Sequence, residues 1–305
     1  MSQPPYAAIT LGSNSFNMLV AETIKGKPCI TAKFKRKVRL AEGMDEHDKL
    51  SDEAMARGID CLAMFAQEID KAGIAPDNVA VIATATLRRI SNVQVFRAQA
   101  LSVLPYPIEI ISGEEEAELI YQGMIATTQG DERRLVIDIG GASTEFIIGE
   151  NHHVLLKTSL PIGCVTFNQQ FFQQQMITVS EFNRVKQHID GVLQTVRQPL
   201  LDLGWRSTLG ASGSVQAVME VLAARAKPQV ISLPVLQQLQ QDILTLEHRP
   251  LTSIQGLKEE RAPTFVSGVA ILLALFELLN IEQLALSGGA LREGVLERLA
   301  GKVAS

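Results

Sequence analysis

Apolar and polar positions along this chain follow two periods, and the switches between them outline its elements. From Ala7 to Val20 an apolar run, a small polar turn and a second apolar run predict strand, turn, strand; Leu135 to Gly149 repeats the pattern. Sliding the sequence by 128 positions lays Ile9-Thr10-Leu11-Gly12-Ser13-Asn14-Ser15 over Ile137-Asp138-Ile139-Gly140-Gly141-Ala142-Ser143, and Met18-Leu19-Val20 then faces Phe146-Ile147-Ile148. A duplicated strand-turn-strand predicts two like domains with a ligand between the turns. They are expected over residues 1–124 and 125–305, with a helix at about 292–305 able to pack on the first.

Between the repeats, residues 30–40 alternate. Lys33, Lys35, Lys37 and Arg39 would share one face of a strand, with Phe34, Val38 and Leu40 on the other, which makes either a solvated outer face or a guide rail for a polyanion. Ser51 caps an expected helix running to Ala72, with Gly73 ending it. Val79 to Ala83 reads as a buried strand, and Glu109-Ile110-Ile111 as another, followed by a helix that Ser112 and Glu115 open as a capping box. The second half alternates likewise. Helices are expected near Phe167–Gln175, from Ser180 to Leu203 with a kink at Pro199, over Val215–Ala226, from Pro234 and from Leu291 to Leu299, and strands at Ser207–Leu209 and Leu284–Leu286. The apolar run Phe265–Leu279 contains Ser267, Gly268 and Glu277 and is short for a membrane span, so it reads as a buried helix. This alternation is that of an α/β protein.

Composition narrows the partners. A net charge of −5 argues against a surface held broadly on nucleic acid, so an anionic ligand must be gripped locally. Three scattered cysteines with no C-x-x-C fit a reducing compartment and a cytoplasmic protein, and no export signal is visible at the N-terminus.

The candidate chemistry gathers at the turns. Gly140 and Gly141 let a phosphate oxygen approach backbone N–H groups, and Asp138 at the strand end can hold a hard cation, although an ordinary tight hairpin would look the same. Arg88 and Arg89 follow a strand end, where open α/β sheets place ligand contacts, and either could fork onto a phosphate. Glu115 is accounted for by the cap; Glu116 is not, and a glutamate crowded by carboxylates can serve as a general base. Gly210-Ala211-Ser212-Gly213-Ser214 before a helix makes a second nest for an anion without the Walker pattern. His152-His153 lacks an acid at ligand spacing and reads as surface.

Taken together, Leu11-Gly12-Ser13-Asn14-Ser15-Phe16, Ala83-Thr84-Ala85-Thr86-Leu87-Arg88, Ile111 through Ala117, Asp138 through Glu145, Gly210 through Ser214 and Gly288 through Gly294 resemble the exopolyphosphatase and guanosine pentaphosphate phosphatase family of the actin-like ATPase superfamily. The resemblance spans nearly the whole chain, and Ile120-Tyr121-Gln122-Gly123 leans toward the guanosine pentaphosphate branch. It implies two ribonuclease H-like domains with an interdomain cleft, release of the terminal phosphate of polyphosphate or guanosine pentaphosphate, Mg²⁺ or Mn²⁺ as cofactor, and no nucleic-acid or membrane partner. A homodimer is compatible with it. Residue by residue it implies Glu116 as the water-activating base and Asp138 and Glu145 as acids near the cation. Arg88, Gly12, Ser13, Asn14, Ser15, Gly140, Gly141, Ala142, Ser143, Ser212, Gly213 and Ser214 would be phosphate contacts. A binding module for guanosine tetra- or pentaphosphate, and an actin-like kinase, are the competing classes. Three departures stand out: Thr10 where the family usually has an aspartate, Asn17 where a histidine is common, and Glu118 where an arginine is common. Larger relatives continue into a helical region past the position of Ser305, so long-chain processivity and tight nucleotide specificity are not carried over.

Overall fold

The computed structural model describes residues 4–173, 176–246 and 248–303. The chain divides into two compact units, Met1–Thr128 with Gly289–Ser305, and Gln129–Gly288.

Unit 1 runs β1 (Tyr6–Leu11), β2 (Phe16–Ile24), β3 (Lys27–Arg36), α1 (Asp52–Lys71), β4 (Val79–Ala83), α2 (Ala85–Arg89), α3 (Val93–Val103), β5 (Ile108–Ile110) and α4 (Gly113–Thr127). Its strands lie in the order β3-β2-β1-β4-β5, antiparallel across β1, β2 and β3 and parallel across β1, β4 and β5. The strand period sorts β1 cleanly. Ala7, Ile9 and Leu11 join Leu62, Phe65 and Phe96 of α1 and α3 in one apolar core, while Tyr6 and Ala8 join Leu119 of α4 in the other. Thr10 shares the parity of Tyr6 and Ala8, and so lies on the α4 face.

Unit 2 runs β6 (Arg134–Ile139), β7 (Thr144–Glu150), β8 (His153–Leu160), α5 (Cys164–Phe171), α6 (Val179–Leu193), α7 (Arg197–Leu203), β9 (Ser207–Ala211), α8 (Ser212–Ala224), β10 (Ile231–Ser232), α9 (Leu233–Leu244), α10 (Phe265–Leu279) and β11 (Gln283–Leu286). Its order, β10-β11-β9-β6-β7-β8, repeats that of unit 1, with an antiparallel β6-β7-β8 and parallel β9 and β11 on the other side of β6. The chain then returns to unit 1 as α11 (Leu291–Val303), whose Val295, Leu296 and Leu299 complete the core over β1 and β2. Here α4 and α11 touch backbone to backbone: a Cβ on Gly123 would overlap the carbonyl of Ala290, and one on Gly294 the carbonyl of Leu119. Gly289, where a Cβ would overlap the Gly123 carbonyl, and Gly294 thus answer to helix packing.

Most elements stand where the pattern places them. Ser51 caps α1, accepting from the Ala54 N–H at 3.3 Å, and Ser112 and Glu115 form the capping box of α4. The helical stretch Ala262–Leu279, which includes α10, is long and apolar enough to cross a membrane, but 78% of it is buried within the protein, and Glu277 alone among the α10 residues lies outside the buried set. Three expectations change. The helix expected from Ser180 to Leu203 is two helices, because Pro199 lacks an N–H and its ring would clash with the carbonyl four residues back; α7 starts afresh with the proline in its first turn. The expected strand over 30–40 begins at Lys27 and ends at Arg36, so Lys37 and Arg39 lie beyond it and Arg39 takes a left-handed φ of 55°. The helix expected near Phe167–Gln175 ends at Phe171, and residues 174 and 175 lie outside the described ones.

Candidate active site

Both turns of the repeat are built alike, each within its own unit. In unit 1 the Gly12 N–H donates to the Ser15 carbonyl at 3.2 Å; in unit 2 the Gly140 N–H donates to the Ser143 carbonyl at 2.8 Å. The next carbonyls are tied back into the protein. Those of Ser13 and Asn14 accept from Ala41 and Arg39, each at 3.0 Å, and those of Gly140 and Gly141 accept from Cys164, Val165 and Thr166 in the first turn of α5 at 2.9–3.1 Å. With the acceptors occupied, the N–H groups of Ser13, Asn14, Gly141 and Ala142 have no backbone acceptor among the described residues. A turn whose carbonyls are tied back and whose amides lack a backbone acceptor has the form of an anion nest. Gly163 makes the tie-back in unit 2 sterically possible, since a Cβ there would overlap the Ala142 backbone.

In unit 1 the ends of the parallel strands are aligned: Thr84 N–H donates to the Leu11 carbonyl at 3.3 Å and Ile111 N–H to the Ala83 carbonyl at 3.1 Å. The Gly12–Ser15 turn, α2 and α4 therefore leave the sheet at one carboxyl edge, where open α/β sheets place ligands. Across that edge Arg88 reaches from α2 to α4. Its Nη1 donates to the Ile111 carbonyl at 2.8 Å and to Glu116 Oε2 at 3.0 Å, and the Glu116 side chain is only 9% exposed. Two of the sequence candidates, 28 residues apart, are thus one ion pair. Arg89 instead pairs with Asp48 at 2.7 Å on the surface.

In unit 2 Asp138 and Glu145 are direct cross-strand partners on β6 and β7, both buried, with the Ser159 hydroxyl donating to Glu145 Oε1 at 2.7 Å. Their counterparts in the repeat are Thr10 and Asn17, themselves cross-strand partners on β1 and β2, so unit 1 lacks both acids of the pair. No cluster of three or more His, Cys, Asp or Glu able to hold a metal ion occurs among the described residues. The donor set of unit 2, two buried carboxylates beside a glycine turn, fits a hard cation that keeps most of its water, as Mg²⁺ does.

The second nest of unit 2 begins one strand over. Ser212 already opens α8 with a left-handed φ of 76°, its hydroxyl donating to the Ile139 carbonyl, which places Gly213 and Ser214 in the first helical turn with their N–H groups at a positive dipole end. Ser214 Oγ lies against Gly268 of α10 and has no hydrogen-bond partner, so the group Ser214 offers an anion is its N–H.

Sequence reasoning missed Arg261. It sits in a charged run, Lys258-Glu259-Glu260-Arg261, that reads as solvated, yet it is only 6% exposed. Nη2 donates to Gln216 Oε1 at 3.0 Å and Glu220 Oε1 at 3.1 Å, while Nε and Nη1 have no partner and Nη1 lies beside Gly213. Burial pushes the Glu220 carboxyl up, but the hydrogen bond and charge of Arg261, with Lys258, outweigh it and hold the group below its ordinary value. A buried guanidinium at a helix N-terminus sets two positive ends together, an arrangement that an anion relieves. No periodic signal marks such a residue.

Two sheets of repeated order, each with a glycine turn at its carboxyl edge, define the actin-like ATPase fold. The profile of the Ppx/GppA phosphatase family matches residues 19–303, and the chain belongs to that family. Over 292 residues it is 48% identical to a guanosine-5'-triphosphate,3'-diphosphate pyrophosphatase of Aliivibrio fischeri, covering 96% of this chain and 58% of that one. A protein of the same name from Vibrio parahaemolyticus is 48% identical over 306 residues, 99% of this chain and 60% of that one. The chain spans about three-fifths of the length of these relatives. A crystal structure of an exopolyphosphatase from Cytophaga hutchinsonii matches with a TM-score of 0.88 at 25% identity over 98% of both chains.

Proposed function

We propose that this chain releases the terminal phosphate of inorganic polyphosphate or of guanosine pentaphosphate by attack of water, with a divalent cation. The observation that carries the reading is the buried Arg88–Glu116 pair at the sheet edge that also bears the Gly12–Ser15 nest. An incoming phosphate competes for the Arg88 guanidinium, which can fork onto two of its oxygens. That frees the Glu116 carboxylate to take a proton from the attacking water. Within unit 1 the amides of Ser13 and Asn14 would balance charge on phosphate oxygens; within unit 2 the amides of Gly141, Ala142, Gly213 and Ser214, with Arg261, are donors of the same kind. Asp138 and Glu145 would hold Mg²⁺ or Mn²⁺, which when bound neutralises charge developing on the phosphoryl group. The names of the relatives support both substrates, and three free cysteines suit a cytoplasmic enzyme. The test is orthophosphate release from both substrates by the parent and by Glu116→Gln, with Mg²⁺, with Mn²⁺ and with chelator. A parent that releases phosphate from either substrate only with metal, and a variant slowed at least about a hundredfold, is the expected result. Equal rates would remove Glu116 as the base.

A further inference from the structure

Asp138 and Glu145 belong to a row of side chains that crosses the sheet of unit 2. Asp138 on β6 faces Glu145 on β7, and Glu145 in turn faces Ser159 on β8, the edge strand. Cross-strand partners project from one face of a sheet, so the three side chains stand side by side. The row closes with a hydrogen bond, the Ser159 hydroxyl donating to Glu145 Oε1 at 2.7 Å. Glu145 is 1% exposed, whereas Ser159 is half-buried at the rim. The repeat gives the comparison. In unit 1 the equivalent row runs Thr10 on β1, Asn17 on β2 and Lys35 on the edge strand β3. Where the acids are replaced, the hydroxyl at the edge is replaced with them. Edge strands are commonly guarded by charge, lysine above all, and unit 1 follows that rule. Unit 2 departs from it with a small neutral donor at the one edge position that faces a buried carboxylate. Burying a carboxylate is costly unless it is hydrogen-bonded, and the last torsion of a glutamate is soft, so a donor on one oxygen both offsets the burial and fixes the carboxylate plane. Outer partners of this kind orient the ligands of a metal ion.

We propose that Ser159 is a positioning residue for divalent-cation binding: its hydroxyl holds the Glu145 carboxylate in the one orientation in which, with Asp138, it takes Mg²⁺ or Mn²⁺. This rests on the phosphohydrolase reading above and adds to it a residue that acts through Glu145. Removing the hydroxyl leaves both acids in place and loosens one of them, so the cation is bound more weakly while the reaction of the loaded protein is unchanged.

The test is titration of the full chain with Mn²⁺, followed by the electron paramagnetic resonance signal of the free ion. Ser159→Ala is compared with the parent and with Ser159→Thr and Ser159→Val, which share a shape and differ by the hydroxyl. Thr158→Ala is the control, since Thr158 is the next residue of β8 and faces Phe146 on the other side of the sheet. Expected are affinities about tenfold lower for Ser159→Ala and Ser159→Val, and within about twofold of the parent for Ser159→Thr and Thr158→Ala. Glu145→Gln should abolish the site, which assigns the measured ion to this row. Equal affinity for the parent and Ser159→Ala overturns the proposal. So does a loss in Ser159→Thr as large as that in Ser159→Val, or a Mn²⁺ site that survives Glu145→Gln or is missing from the parent. Phosphate release is measured in parallel as a function of Mg²⁺. Ser159→Ala should need about tenfold more Mg²⁺ for half-saturation and reach the plateau of the parent, and a lower plateau at unchanged half-saturation contradicts the positioning role. A parent and variants that show the expected order of Mn²⁺ affinities without phosphate release would sink the phosphohydrolase reading and uphold Ser159.

Discussion

Arg88→Met isolates the pair at the heart of unit 1. The substitution leaves the Glu116 carboxylate, 9% exposed, without its cation and the Ile111 carbonyl without its 2.8 Å donor. Removing one partner of a buried ion pair costs about 3–5 kcal/mol, and a lost hydrogen bond to a carbonyl about 1 kcal/mol. Arg88 itself is 23% exposed, so water partly re-solvates the carboxylate, and a net loss of about 3 kcal/mol is expected. For a unit of this size that lowers Tm by about 10 °C. Trp205, the only tryptophan, lies in unit 2, so its fluorescence follows that unit and far-UV circular dichroism is needed for unit 1. The double variant Arg88→Met/Glu116→Leu removes both charges and should recover about 2 kcal/mol of the loss. A single variant that melts within about 2 °C of the parent, or a double variant whose loss is the sum of the singles, would refute the pairing as a source of stability.

The other expectations concern packing, titration and anion binding. Gly123→Ala drives a methyl into the Ala290 carbonyl and should cost about 2 kcal/mol or more in urea unfolding; an unchanged midpoint would contradict the close α4–α11 contact. The Arg134 hydrogen bond pulls the Glu132 carboxyl from 4.5 to about 2. Its stabilising effect is therefore complete above pH 4.5, fades as pH falls and is gone below about 2, and is small because the side chain is 40% exposed. The Tm gap between parent and Glu132→Gln should close across that window, and a gap constant with pH would contradict it. Arg261→Met removes the charge beside Gly213 and should weaken tripolyphosphate binding about tenfold by calorimetry, with Arg261→Lys intermediate; equal affinity would leave Arg261 a purely structural residue.

The parts of the fold legible in the sequence are those set by local pattern. The repeat at 128 positions survives as matching turns, down to the Gly12–Ser15 and Gly140–Ser143 hydrogen bonds, because strand period and glycine placement act within a few residues. Ser51 and Ser112 cap their helices for the same reason. What the pattern could not show depends on distant neighbours. Arg88 meets Glu116 only because β4 and β5 are adjacent, and Arg261 is buried only because α8 packs beside it. Arg39 escapes the strand because its N–H is claimed by Asn14, a turn far back in the chain. The loss of the acid pair in unit 1 was half visible. Thr10 stands out against Asp138 by alignment of the repeat, but that Asn17 is its cross-strand counterpart emerges only from the register.

The central claim is terminal-phosphate hydrolysis dependent on Glu116, and product analysis of guanosine pentaphosphate tests it most directly. Anion-exchange chromatography of the reaction with Mg²⁺ should show guanosine tetraphosphate and orthophosphate in equal amounts for the parent, and intact substrate for Glu116→Gln over the same time. Pyrophosphate as the product, or tight binding with no turnover by the parent, would contradict it.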